Sequence, residues 1–161
     1  MTVLVRIKEL LCVMSKAKVR KLVAAATRAA GEDVPELALK ALKQFARQDE
    51  SHVILVTEEL LTRHLSAEDS SQVRYFALQV CAVLWPRSQA FRHALLAQLV
   101  PDIVQAVGGD RKMTLPPPED WAERLPRRAL VLLDEWQASH GQLEGYGALA
   151  LAKRYLRTHV E

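Results

Sequence analysis

Apolar residues recur at intervals of three and four along nearly the whole chain, and no stretch alternates in the manner of a half-buried strand. Val19, Leu22, Val23 and Ala26 predict a helix over Lys18 to Ala30, stopped by Gly31. Pro35 suits a first helical position, with Ala38, Ala41, Leu42 and Phe45 as the stripe behind it. A third helix is expected over Ser51 to Leu65, where β-branched Val53 to Val56 look strand-like but Glu58, Glu59, Leu60 and Leu61 keep the helical period. Asp69 with Gln72 three residues on resembles a capping box, opening a helix through Val73, Phe76, Ala77, Val80 and Leu84 that Pro86 ends or kinks. Phe91, Leu95 and Leu99 mark the next helix, bent by Pro101 and closed by Gly108 and Gly109.

Four of the seven prolines then fall between Met113 and Ala129. Asp110 to Pro118 has no periodicity, and three consecutive prolines predict an extended connector there. Pro118 can start a helix, Glu119 and Asp120 suit its first turn, and Pro126 is expected to kink it before Ala129, Leu132, Leu133 and Trp136. Gly141 ends that helix, and a last one is expected over Gln142 to His159. About seven to eight short helices in sequence read as an all-α, right-handed α-α superhelix.

Composition narrows the picture. The 161 residues fit one domain that buries about two thirds of its unfolded surface. No apolar run approaches the roughly 18 residues a membrane span needs, so a soluble chain is expected. Arg6, Lys8 and Glu9 interrupt the apolar N-terminus and no small-residue cleavage site follows, which argues against a secretory signal. Cys12 and Cys81 are too few for a disulfide scaffold and point to a reducing compartment, cytosol or nucleus. Residues 1–30 carry seven Lys/Arg against one Glu, residues 31–70 four against nine acids, and residues 71–161 eleven against nine. Opposed patches of this kind favour oriented docking on a partner over uniform coating of nucleic acid, though they also read as ordinary solvated helix faces.

Catalytic chemistry is hard to find. The five histidines are scattered, none paired at the i, i+4 spacing of a helical zinc site, so no metal is expected. Asp134, Ser139 and His140 are close in sequence but point to different sides of a helix, with no nucleophile elbow around Ser139. No glycine-rich phosphate loop is present. Cys81, among Val80, Ala82 and Val83, reads as a small buried hydrophobe. Neither an enzyme nor a cofactor is expected.

The stretch VRYFALQVCAVLWPRSQAFRHAL, the LPPP of Leu115 to Pro118, EWQASHG and YGALALAKRYLRTH resemble the N-terminal domain of the UV-stimulated scaffold protein A family. The order and spacing agree over residues 18–159, and the proline run followed by Trp136, Gly141, Tyr146, Leu149, Ala150, Leu156 and Arg157 is the specific part. The resemblance implies a VHS/ENTH-like helical domain over 18–159, with 1–17 as an extension of helical potential. It departs from the family pattern at His140, where an aromatic residue is favoured, at Pro126, and throughout residues 1–17. Its function would be that of a non-enzymatic docking module in a transcription-coupled nucleotide-excision repair scaffold. The implied partners are the Cockayne syndrome A repeat protein and the stalled RNA polymerase II complex, in the nucleus on chromatin, with no small-molecule substrate and no membrane. The family's segments that contact TFIIH and a deubiquitinating enzyme fall beyond the matched region, so only the docking part is expected.

Two alternatives share the architecture: a trafficking adaptor that binds ubiquitin, sorting peptides or phosphoinositides, and a domain that reads the polymerase tail. The candidate partner-binding residues are Arg87 and Arg92 at the Pro86 bend, Arg124, Arg127 and Arg128 around Pro126, and Lys153, Arg154 and Arg157 on the last helix. Arg87 and Arg92 read equally as caps of the preceding helix. Trp85 and Trp121, beside prolines near helix ends, are expected as exposed contact aromatics, and Trp136, Tyr146 and Tyr155 as core.

Overall fold

The computed structural model describes residues 2–67, 69–109 and 114–160, and among these the regular structure is helical throughout. The helices are α1 (Val3–Thr27), α2 (Glu36–Gln48), α3 (Glu50–Glu59), α4 (Ser71–Leu84), α5 (Gln89–Gln98), α6 (Val104–Gly108), α7 (Glu119–His140) and α8 (Ala148–Val160). π-type turns extend α3 over Leu60–His64 and α5 over Leu99–Ile103. The all-α expectation therefore holds. No described helix is long and apolar enough to cross a membrane.

Several boundaries differ from the sequence reading. The first helix begins at Val3, because Arg6, Lys8 and Glu9 interrupt the apolar run without breaking helical spacing. Ser70, not Asp69, caps α4: its hydroxyl accepts the Val73 N–H, while Gln72 reaches away to donate to the Gly31 carbonyl at 2.9 Å. The bend at Pro101 is present, with Val100 in extended geometry between helical neighbours. The Val100–Pro101 and Pro117–Pro118 peptides are cis. α7 continues through Pro126 as one helix. The last helix starts at Ala148, since residues 141–147 form turns in which Gly145 takes φ 88°. The connector's residues 110–113 lie outside the described residues, and 114–118 are non-helical.

The core is one cluster fed by every helix. α1 packs on α2, α3 and α4; α4 packs on α7, and α7 on α8. Phe76, Trp85, Phe91, Leu125, Leu132 and Leu149 are among its buried side chains. Half-buried Arg74 donates to the carbonyls of Ala67 and Ala106 at 2.7 and 2.8 Å. His64 lies between Thr27 Oγ1 (2.8 Å) and Glu59 Oε1 (3.2 Å). The proline run closes onto α4, with the Pro117 carbonyl accepting the Ser71 N–H at 3.0 Å and the Pro116 carbonyl accepting its hydroxyl.

Candidate interaction surface

At the Pro86 bend the side chains turn inward. The Trp85 indole stacks on Trp136 at 4.4 Å and donates its N–H to His140 Nδ1 at 3.2 Å. His140 in turn stacks on Tyr146 at 5.7 Å. Arg92 closes this box, donating from Nε to the Tyr146 hydroxyl and from Nη1 to the Trp85 carbonyl, both at 2.9 Å. Trp85 is 2 % exposed, which corrects the expectation that it is a contact aromatic. A proline ends the helix there because of its backbone, and that says nothing about the side chain before it. Arg92 is the helix cap of the two readings offered for it; Arg87 remains exposed. His140, where an aromatic was favoured, does an aromatic's packing and adds an acceptor for the indole. Burial and the nearby Arg92 charge hold its imidazole below the ordinary range, consistent with a Nδ1 lone pair committed to the Trp85 N–H.

A second group surrounds the start of α7. Arg124 lies over Trp121 at 4.1 Å and Tyr75 at 5.1 Å and pairs with Glu32 at 3.1 Å. Trp121 is 8 % exposed and packs edge-on against Phe76, so it too belongs to the core, against expectation. Arg128 donates to Gln79 Oε1 at 2.7 Å beside a cleft of about 530 Å³ between α2, α4 and α7. Arg127 is exposed.

The third group is the α7–α8 face. Lys153 pairs with Asp134 at 2.7 Å, and Arg157 approaches the same oxygen at 3.9 Å. Together with Gln137, Ala150, Arg154 and Thr158 they line a cleft of about 460 Å³. Gln137 Oε1 is buried there without a hydrogen-bond partner among the described residues. The cleft thus offers the exposed guanidinium groups of Arg154 and Arg157, while the Gln137 acceptor lies beneath its surface. Such a site suits a ligand that brings acidic groups.

Asp134 is occupied by Lys153, while His140 is occupied by Trp85 and Ser139, so these residues do not assemble into a triad. Among the described residues no group of three His, Cys, Asp or Glu is placed to hold a metal ion. Burial pushes the Cys81 thiol up, as expected of a core cysteine. Sequence reasoning missed Asp134 as the tether of the last helix's cations and Gln137 as a buried acceptor under the same face. The spacing of Asp134 and Gln137, three residues apart on one face, was the available signal.

Comparison with known proteins gives a consistent result. Residues 15–160 match the family described as UVSSA N-terminal domain. The chain is 31% identical over 144 residues to the UV-stimulated scaffold protein A homolog of Arabidopsis thaliana, covering 89% of this chain and 21% of that protein. It is 29% identical over 119 residues to UV-stimulated scaffold protein A of Xenopus tropicalis, covering 74% of this chain and 16% of that protein. The Rattus norvegicus protein of the same name gives the same identity and coverage. The chain therefore spans about a fifth or less of the length of these relatives.

Proposed function

Because the chain belongs to the UVSSA N-terminal domain family, we propose that it is a non-enzymatic docking module of a transcription-coupled nucleotide-excision repair scaffold. The observation that carries this reading is the match over residues 15–160 to a domain whose relatives are named as scaffold proteins. In this reading the module works in the nucleus on chromatin, and its partners are the Cockayne syndrome A repeat protein and the stalled RNA polymerase II complex. Contacts that the relatives make through their remaining length are not assigned to this chain.

The α7–α8 face is the docking surface that best suits this role. Asp134 holds Lys153 and orients Arg157, so part of the side-chain ordering that binding requires is already complete. Arg154 and Arg157 project to solvent, where they would steer an acidic partner and fix its register. Arg87 and Arg127 are exposed cations on other faces and form the secondary candidates. Arg92, Arg124 and Arg128 act mainly through the intramolecular bonds described above, and Trp85 and Trp121 are withdrawn as contact residues.

Calorimetric titration into the Cockayne syndrome A repeat protein of the same organism tests the reading. Saturable binding is expected, weakened about tenfold or more by the pair Arg154→Glu and Arg157→Glu, equivalent to about 1.4 kcal/mol. No heat and no co-elution on gel filtration would overturn it.

A further inference from the structure

The first half of α1 buries nothing. Val3, Leu4, Val5, Ile7, Leu10, Leu11, Val13 and Met14 are 40–74 % exposed, and the first core residue of the helix is Val19. These residues precede the matched family domain, which begins at residue 15. Six of them, Val3, Leu4, Ile7, Leu10, Leu11 and Met14, recur at spacings of three and four and so share one face. That stripe is not the continuation of the buried face. Val19, Val23 and Ala26 lie roughly a third of a turn further round the helix, so the packing that holds the second half cannot extend to cover the first. Twelve residues of projecting helix are also marginal in water without an apolar face to pack.

We infer that this stripe is a self-association surface, and that its occupant is the same stripe of a second copy, packed antiparallel. The stripe is self-complementary about a two-fold axis between Lys8 and Glu9. Ile7 then meets Leu10 of the second copy and Val3 meets Met14 of the second copy, with Leu4 and Leu11 along one flank. Charge selects the mate and its direction. From Val3 to Met14 the charged residues are Arg6, Lys8 and Glu9, all off the stripe and with a net charge of only +1, so this stretch has little that selects an anionic surface. The basic residues Lys16, Lys18, Arg20 and Lys21 follow immediately. Parallel pairing would set these side by side with their counterparts, whereas antiparallel pairing carries them past opposite ends of the overlap. Closing two such faces removes on the order of 1,000 Å² from water, at the lower edge of specific interfaces, so the dimer is of the weak, reversible class and is sought at micromolar concentrations and above.

Sedimentation equilibrium of the chain across that concentration range is the test. A monomer–dimer equilibrium is expected, with Ile7→Asp and Leu11→Asp each weakening it about tenfold or more. Val5→Asp, on the opposite side of the same turns, should leave it unchanged. All three positions are exposed, so thermal melting of the dilute variants should match the parent. A parent that stays monomeric at every concentration would overturn the inference, as would equal weakening by Val5→Asp. Stripe-dependent binding of a monomeric chain to vesicles of anionic lipid would also overturn it, and would assign the face to a membrane surface.

Discussion

Replacing Arg92 by methionine keeps the aliphatic stem and removes the guanidinium that bonds to the Tyr146 hydroxyl and the Trp85 carbonyl. Each bond has a charged donor, a class that contributes about 1.5–3 kcal/mol. Both acceptors belong to residues of the buried aromatic box, so neither regains full hydration when the donor goes. The Arg92 side chain is itself partly exposed, which lowers the sum to about 2–4 kcal/mol. For a domain of this size that corresponds to a fall in melting temperature of roughly 5–15 °C. Arg87→Met, five residues away, removes an exposed cation with no bond of this kind among the described residues and should cost less than about 0.5 kcal/mol. Differential scanning calorimetry of the two variants makes the comparison. If both melt within about 1 °C of the parent, the guanidinium does not hold the box and the structural assignment of Arg92 is wrong. The expected result also has a practical edge. Arg92→Glu would lose partner binding through instability, so charge reversals meant to map docking belong at Arg87, Arg127, Arg154 and Arg157.

Burial lowers the proton affinity of His64 below its ordinary value, with Glu59 pulling the other way. The unfolded chain therefore takes up the proton first as pH falls. Stability should be full above a pH of about 6.5 and decline below it, read as a falling urea midpoint, and His64→Gln should flatten that decline. Pro126→Ala restores an amide inside α7 and should stabilise by about 2 kcal/mol, the helix-interior penalty of proline less its stiffening of the unfolded chain; an unchanged urea midpoint would refute this. A thiol reagent should label Cys12 quickly and Cys81 only after denaturant is added, because the first is exposed and the second buried.

Backbone punctuation was the most legible part of the sequence. Pro86, Pro101 and Gly141 all stand at or beside the breaks they predict, since a proline ring or a glycine acts on its own segment whatever packs nearby, and Gly31 lies within the linker after α1, which ends earlier at Thr27. Side-chain destinations were less legible. Trp85 and Trp121 sit at helix ends, but those ends point into the core, and this depends on where α7 lies relative to α4. The arginines divide in the same manner. Arg92 and Arg128 found partners 54 and 49 residues away, which local spacing cannot foresee, while Arg154 stays exposed as its own helix face predicts. At the N-terminus the helical potential of residues 1–17 is realised from Val3 onward, but as the start of α1 and not as a separate extension.

The tie between Ser71 and the proline run bears on how the domain comes apart. A helix begins with amides that have no partner within it. In α4 the Ser71 amide reaches across 46 residues to Pro117, and Arg74 reaches from the next turn to the carbonyl of Ala106. α4 is the element that joins α1 to α7, so its first turn is completed only when the later helices are in place. Fraying of the C-terminal half would therefore loosen the centre of the molecule at once, and melting followed at Trp136 should coincide with melting followed by helical circular dichroism.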